Sequence, residues 1–244
     1  MKTFHKKHPV IFAVILIAIY VVITSLMDEF SRSIGIESVF TAPFLLVFAT
    51  LLLVFIVKCG FKRRYGLTYG NLNFLGCLCF VPLAVIASVN FWAGINLDLA
   101  PLPTILTVSS MLLVGFVEEI IFRGFLFKAM AKNGVVSAFI VSSVTFALGH
   151  IVNLFNGADL LPTLLQITYA GAGGFLFTTI FYKTESLLPC IITHSLLNAT
   201  SVFMVDAGTT HLIISSVALI VVSIAYALWF FYKYQETDFQ LDGE

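Results

Sequence analysis

Charge is scarce in this sequence: 13 Lys and Arg with 13 Asp and Glu make up 11% of 244 residues. An ordinary soluble domain carries roughly 25%. Hydrophobic residues fill 59% of the chain. A single soluble fold of this length cannot hide so much apolar surface, so lipid must solvate part of it. The formal net charge is zero, no nucleic-acid partner is expected, and the informative property is where the charges fall. Cysteine is sparse as well. Cys59, Cys77, Cys79 and Cys190 lie in or beside apolar runs, without the second pair that a zinc site needs, and read as packing residues. No H-E-x-x-H helix is present, so the zincin signature is missing.

Long apolar runs are abundant. A spanning helix needs about 20 mostly apolar residues, and eight candidates appear at roughly 10–27, 42–57, 72–94, 102–127, 135–152, 160–182, 187–205 and 212–232. The first follows MKTFHKKHPV. It is longer than a signal-peptide core and no small-x-small cleavage pattern follows it, so it reads as an uncleaved span. Cytoplasmic loops carry the excess of Lys and Arg. With the amino terminus inside, 11 of the 13 basic residues fall on inner segments, leaving only Arg32 outside and Arg123 within a span. The outer segments hold Asp28, Glu29, Glu37, Asp98, Asp159 and Asp206. The expectation is an all-α integral membrane protein. It is a single polytopic domain over 1–244, a bundle of about eight helices with both termini cytoplasmic. In the sixth span, Ala170 and Gly174 form a small-xxx-small pair suited to close helix packing.

Ionisable groups at the centre of a membrane helix cost roughly 2.5–3.5 kcal/mol each on insertion scales, so each calls for a partner or a use. Five stand within the expected spans: Glu118, Glu119, Arg123, His150 and His194. Glu119 and Arg123 are four apart and share a helix face, which suits an ion pair. Glu118 is turned about 100° away and must look elsewhere. Measured from the Lys132-Asn133-Gly134 turn, Glu118 and His150 lie within about one helical turn of each other in depth. His194 and Asn198 share a face of the seventh span and can donate to an oxyanion. Two ways of activating water fit this set. In one, Glu118 with His150 takes a proton from water, while His194 and Asn198 hold the oxyanion. In the other, His150, His194 and Glu118 bind Zn²⁺, whose water is the nucleophile.

Three motifs can be quoted in order: E-E-x-x-x-R at Glu118–Arg123, F-x-x-x-H at Phe146–His150 and H-x-x-x-N at His194–Asn198. Together they resemble the CAAX proteases and bacteriocin-processing enzymes, the CPBP family, formerly ABI. The resemblance covers about residues 102–205, the expected catalytic core. It implies an intramembrane endopeptidase acting on membrane-associated, prenylated or otherwise hydrophobic peptides. Glu118, His150, His194 and Asn198 would be catalytic, with Glu119 and Arg123 in support. The family implies either a zinc metalloprotease or a glutamate-dependent enzyme. The short loops look more like a bacterial, multi-pass cell-membrane member, with lipid and a lipidated or hydrophobic peptide as partners. Substrate entry is expected between helices from the cytoplasmic half. The competing reading is a non-catalytic scaffold or bacteriocin-immunity protein of the same family.

Overall fold

The computed structural model describes residues 1–72 and 80–233. Among them every regular element is helical, and a single antiparallel bridge joins Ile95 to Met204. The helices are α1 (Lys2–Lys7), α2 (Pro9–Ser33), α3 (Thr41–Lys58), α4 (Val81–Ser88) and α5, which opens as Pro101–Glu118. They continue with α6 (Val135–Gly149), α7 (Val152–Phe155), α8 (Leu160–Thr184), α9 (Leu188–Ser201) and α10 (Gly208–Lys233). Pro9 and Pro101 begin α2 and α5, where the missing N–H has no intrahelical partner to lose. Past Glu118, α5 widens into a π-helix over Glu119–Phe127 and closes as α-helix over Lys128–Ala131.

Six helical stretches are long and apolar enough to cross a membrane: α2, α3, α5, α6 with α7, α8 and α10. Each carries exposed large apolar side chains, such as Leu26, Leu51, Ile105, Ile140, Leu164 and Val221, a surface that lipid solvates better than water. The expected third span, 72–94, lies partly outside the described residues, as do Cys77 and Cys79; its described helix is Val81–Phe91. The expected seventh span, 187–205, folds as the 14 residues of α9. That helix is about 21 Å long, short of a hydrocarbon core of about 30 Å. The reason is local: Val202, Phe203 and Met204 are apolar but leave the helix, and Met204 pairs with Ile95.

The antiparallel helices sort the connections to two ends. At one end the loop after α3 reaches the α8–α9 turn, with Leu187 N–H donating to Gly66 O at 2.9 Å and Asn71 N–H to Thr184 O at 2.8 Å. Gly66 has φ +67°, and a Cβ there would lie 2.7 Å from Leu187 N, so this turn has room only for glycine. The amino terminus folds onto the same end. At the other end Thr107 Oγ1 donates to Ser38 Oγ at 3.2 Å, and Asn96 N–H to Phe203 O at 2.9 Å. Although short, α9 thus leads from one end of the bundle to the other.

The first of these ends is closed by an aromatic plug. His5 is 2% exposed and lies among Phe12, Phe55, Phe61, Tyr65 and Phe125, with the Tyr65 hydroxyl on its Nε2. Beneath it every residue of Glu119–Phe127 is buried. Burial, then the charges of Arg64, Lys6 and Lys132, lower the His5 pKa from 6.5 to about 4. The folded protein therefore binds fewer protons than the unfolded chain between pH 4 and 6.5, and stability falls as pH drops through that window. The thermal unfolding midpoint in detergent should fall between pH 7.5 and 4.5, and the fall should be smaller in His5→Gln. Equal losses in both proteins would remove His5 from the account.

Candidate active site

The site is built where α5 crosses α9. Gly115 makes the crossing close: a Cβ there would lie 2.5 Å from both Ser195 N and Ser195 Oγ. The Ser195 hydroxyl donates back to Leu112 O at 2.8 Å. With the backbones this near, the next turn of α5 brings two carboxylates to His194.

Glu119 takes the inner position. It and Arg123 are both fully buried, and Arg123 Nη1 donates to Glu119 Oε1 at 2.9 Å, as their i, i+4 spacing leads one to expect. The same Oε1 lies 2.8 Å from His194 Nδ1. A carboxylate already paired with arginine can only accept, so the imidazole donates through Nδ1. The remaining ring nitrogen, Nε2, then faces Glu118, 3.5 Å from Oε2. The Arg123 guanidinium rests on the Phe146 ring, 4.2 Å from its centroid, and this cation–π contact offsets part of the cost of burying the charge. Gly174 leaves room for it, since a Cβ would come within 3.0 Å of Arg123 Nη2.

Glu118 makes no ion pair with Arg123, whose carboxylate partner is Glu119. Its Oε1 accepts from the Tyr20 hydroxyl of α2 at 2.7 Å, and its carboxylate opens on a cavity of about 370 Å³. His150, His194 and Asn198 line the same cavity. His150 caps α6 and puts its Nδ1 3.1 Å from Phe146 O. A carbonyl accepts, so Nδ1 donates and Nε2 is left as a proton acceptor. The depth argument from sequence brings Glu118 and His150 onto one cavity wall system without a direct hydrogen bond between them. The four expected catalytic residues therefore share one chamber, and the two supporting residues stand behind it.

Tyr20 is the residue that sequence reasoning misses. It lies 98 positions from Glu118, and a tyrosine in an apolar span carries no mark of its partner. A retrospective signal exists: Tyr20, Thr24 and Asp28 recur every four residues along α2, which puts a polar stripe on one helix face. As for a metal, among the described residues no group of three His, Cys, Asp or Glu side chains is placed to hold one. The Nδ1 of His194 is engaged by Glu119, and no hydrogen bond or ion pair joins Glu118 to His150. In this arrangement the proposed zinc ligands are not gathered into a shell.

Residues 100–200 match the model of a protein family described as type II CAAX prenyl endopeptidase, Rce1-like, in agreement with the family that the motifs resemble. Comparisons with curated proteins and with solved structures give no match.

The close crossing is testable. Gly115→Ala forces a methyl group into Ser195 and should cost about 1–3 kcal/mol, as overpacking does. Gly171→Ala, whose Cβ would meet Ala147 Cβ at an ordinary 3.5 Å, should be tolerated. Thermal unfolding of both variants in detergent reads the difference, and equal midpoints would contradict the crossing.

Proposed function

We propose that this chain, whose residues 100–200 match the model of the Rce1-like family of CAAX endopeptidases, is a member of that family and hydrolyses a peptide bond in a membrane-associated substrate with Glu118 as the base. One observation carries the reading. Of two adjacent glutamates, one is sealed in an ion pair while the other faces a chamber shared with His150, His194 and Asn198.

The division of labour follows from the hydrogen bonds. Tyr20 fixes one oxygen of Glu118, leaving the other to take a proton from water as it attacks the substrate carbonyl. His150 presents Nε2 to the chamber and orients that water. Charge builds on the carbonyl oxygen in the tetrahedral intermediate. Asn198 donates to it through its amide, and His194 through Nε2 when the ring carries its second proton. Glu119 holds the His194 ring in this orientation, and Arg123 holds Glu119. The proton on Glu118 then passes to the leaving amine. The zinc alternative, in which the metal would supply a polarised water, would draw on His150, His194 and Glu118, and these side chains are not gathered into a shell.

The wider setting is part of the same proposal. The chain makes eight passes with both termini on the cytoplasmic side of a bacterial cell membrane. The two short helical segments, Val81–Phe91 and α9, complete the six long ones. This is supported by the gathering of the amino terminus, the 58–66 loop and the α5–α6 turn at one end of the bundle, because those segments carry most of the lysine and arginine.

Glu118→Ala should lower cleavage of hydrophobic peptides by the nanodisc-reconstituted protein by about 10²–10⁴-fold, the usual worth of a general base. Tyr20→Phe keeps the packing and loses a hydrogen bond to a charged group, so a fall of about tenfold or more is expected. Activity that survives exhaustive chelation supports the glutamate route; loss on chelation with rescue by zinc replaces it with the metal route. Unaltered cleavage by Glu118→Ala would refute the assignment.

A further inference from the structure

The chamber does not end at the catalytic residues. From Glu118 it runs along α2 past Thr24 and Ser25 to Asp28, with Asn90, Asn153 and Gln166 also on its walls. That direction leads away from the lysine-rich end, which the His5 plug closes, and towards the end holding the 34–40, 92–100 and 156–159 loops. At the lysine-rich end the floor of the chamber is buried, whereas the polar wall residues continue towards the opposite end.

The walls of this limb have polar groups left to give. Thr50, Thr104, Thr163 and Thr168 each donate to the carbonyl four residues back, at 2.7–2.8 Å. Thr24 does not: its Oγ1 is buried on the chamber wall with no hydrogen-bond partner within the protein, which leaves the hydroxyl to donate to or accept from whatever occupies the chamber. Asn153 donates through Nδ2 to Gln166 Oε1 at 2.8 Å, which leaves the Gln166 amide as donor and Asn153 Oδ1 as acceptor. Asn90 donates to Leu197 O and Thr200 Oγ1 and keeps its own oxygen. Donors and acceptors together suit a polypeptide backbone. An isoprenoid chain offers neither.

Asp28 supplies the one carboxylate of this limb beyond Glu118. Thr41 donates to its Oδ1 and ties it to α3. The nearby Arg32 is turned to Glu29 at 2.8 Å. Glu29, Glu37, Asp98, Asp159 and Asp206 stand at the same end of the bundle, where Arg32 is the only lysine or arginine among the described residues. The field at the mouth is negative and draws cationic peptides. Eight residues of α2 separate Tyr20, at the catalytic carboxylate, from Asp28. At 1.5 Å per residue they span about 12 Å, or three to four residues of extended peptide.

We propose that the Tyr20–Thr24–Asp28 face of α2 is a substrate subsite, which seats an extended peptide entering from the end opposite the lysine-rich loops. Asp28 receives a lysine or arginine three or four residues from the bond that is cleaved. This rests on the endopeptidase reading and adds a specificity to it.

The test uses full-length protein in nanodiscs and decapeptides of alanine and leucine, each with one lysine or one glutamate walked along the sequence. The readout is the lysine-to-glutamate ratio of kcat/KM at each position. A ratio of about tenfold or more, as for hydrogen bonds to charged groups, is expected three or four residues from the cleaved bond. Asp28→Asn, which preserves an acceptor for Thr41, should bring it close to one, and Asp28→Lys should invert it. Fluorescein-labelled copies of the same peptides give the ratio as Kd, independently of turnover. Cleavage with a ratio near one at every position, or a ratio unmoved by both Asp28 variants, overturns the subsite and leaves the endopeptidase standing. Neither binding nor cleavage of any peptide removes both.

Discussion

The carboxylate of Glu119 is the point on which the rest of the structure depends. It is wholly buried, and so is the guanidinium it faces. Two such charges cost several kcal/mol each to bring out of water, and the cost is offset only where the pair is well made. Here one oxygen serves both Arg123 and His194, while the guanidinium lies on Phe146 and against Gly174. Four helices, α5, α6, α8 and α9, are therefore referred to a single ionic node. Removing either charge would strand the other in a medium that cannot solvate it, which is a harsher penalty than the loss of the pair itself.

That node also explains how adjacent glutamates come to stand in opposite surroundings. A rotation of about 100° per residue carries Glu118 off the face that meets Arg123, onto the one that meets Tyr20 and the chamber. Immediately afterwards the helix widens, and every residue from Glu119 to Phe127 is buried. In the preceding 18 residues only Ser110, Gly115 and Val117 are. The switch in winding marks the boundary between a helix that borders lipid and chamber and one that fills the core. Departures of this kind gather at functional sites.

Local periodicity made part of this legible in the sequence. The spacing of Glu119 and Arg123 is a statement about one helix, and it holds. Six of the apolar runs are helices of crossing length, because run length and composition are properties of the run alone. The depth comparison between Glu118 and His150 brings both to the chamber but not into contact, since depth along a helix says nothing about rotation around it. What the sequence conceals is long-range. His194 meets Glu119 across 75 positions and Tyr20 meets Glu118 across 98. Both contacts depend on how closely backbones pass, which is set by residues as plain as Gly115. The shortness of α9 is hidden for a similar reason: apolar residues that turn and bridge read, in one dimension, like residues that continue a span.

Hydrolysis inside a membrane raises a further demand, because the bilayer excludes the very reactant it needs. The closed end meets that demand by refusal. A floor of buried aromatic and aliphatic side chains beneath His5 keeps the node dry, where low dielectric strengthens the grip of Glu119 on Arg123 and His194. The open limb meets it by supply. Threonine, serine, asparagine and glutamine side chains line the route to Glu118, and such groups bind water as readily as they bind a peptide amide. A substrate that fills this limb would displace that water, leaving Glu118 and His150 to hold the one molecule that reacts. On the proposed reading, the same polar stripe would admit water when empty and exclude it when occupied. Such a double use would give a purpose to polar groups on an apolar helix, among them the Thr24 hydroxyl, which has no hydrogen-bond partner within the protein.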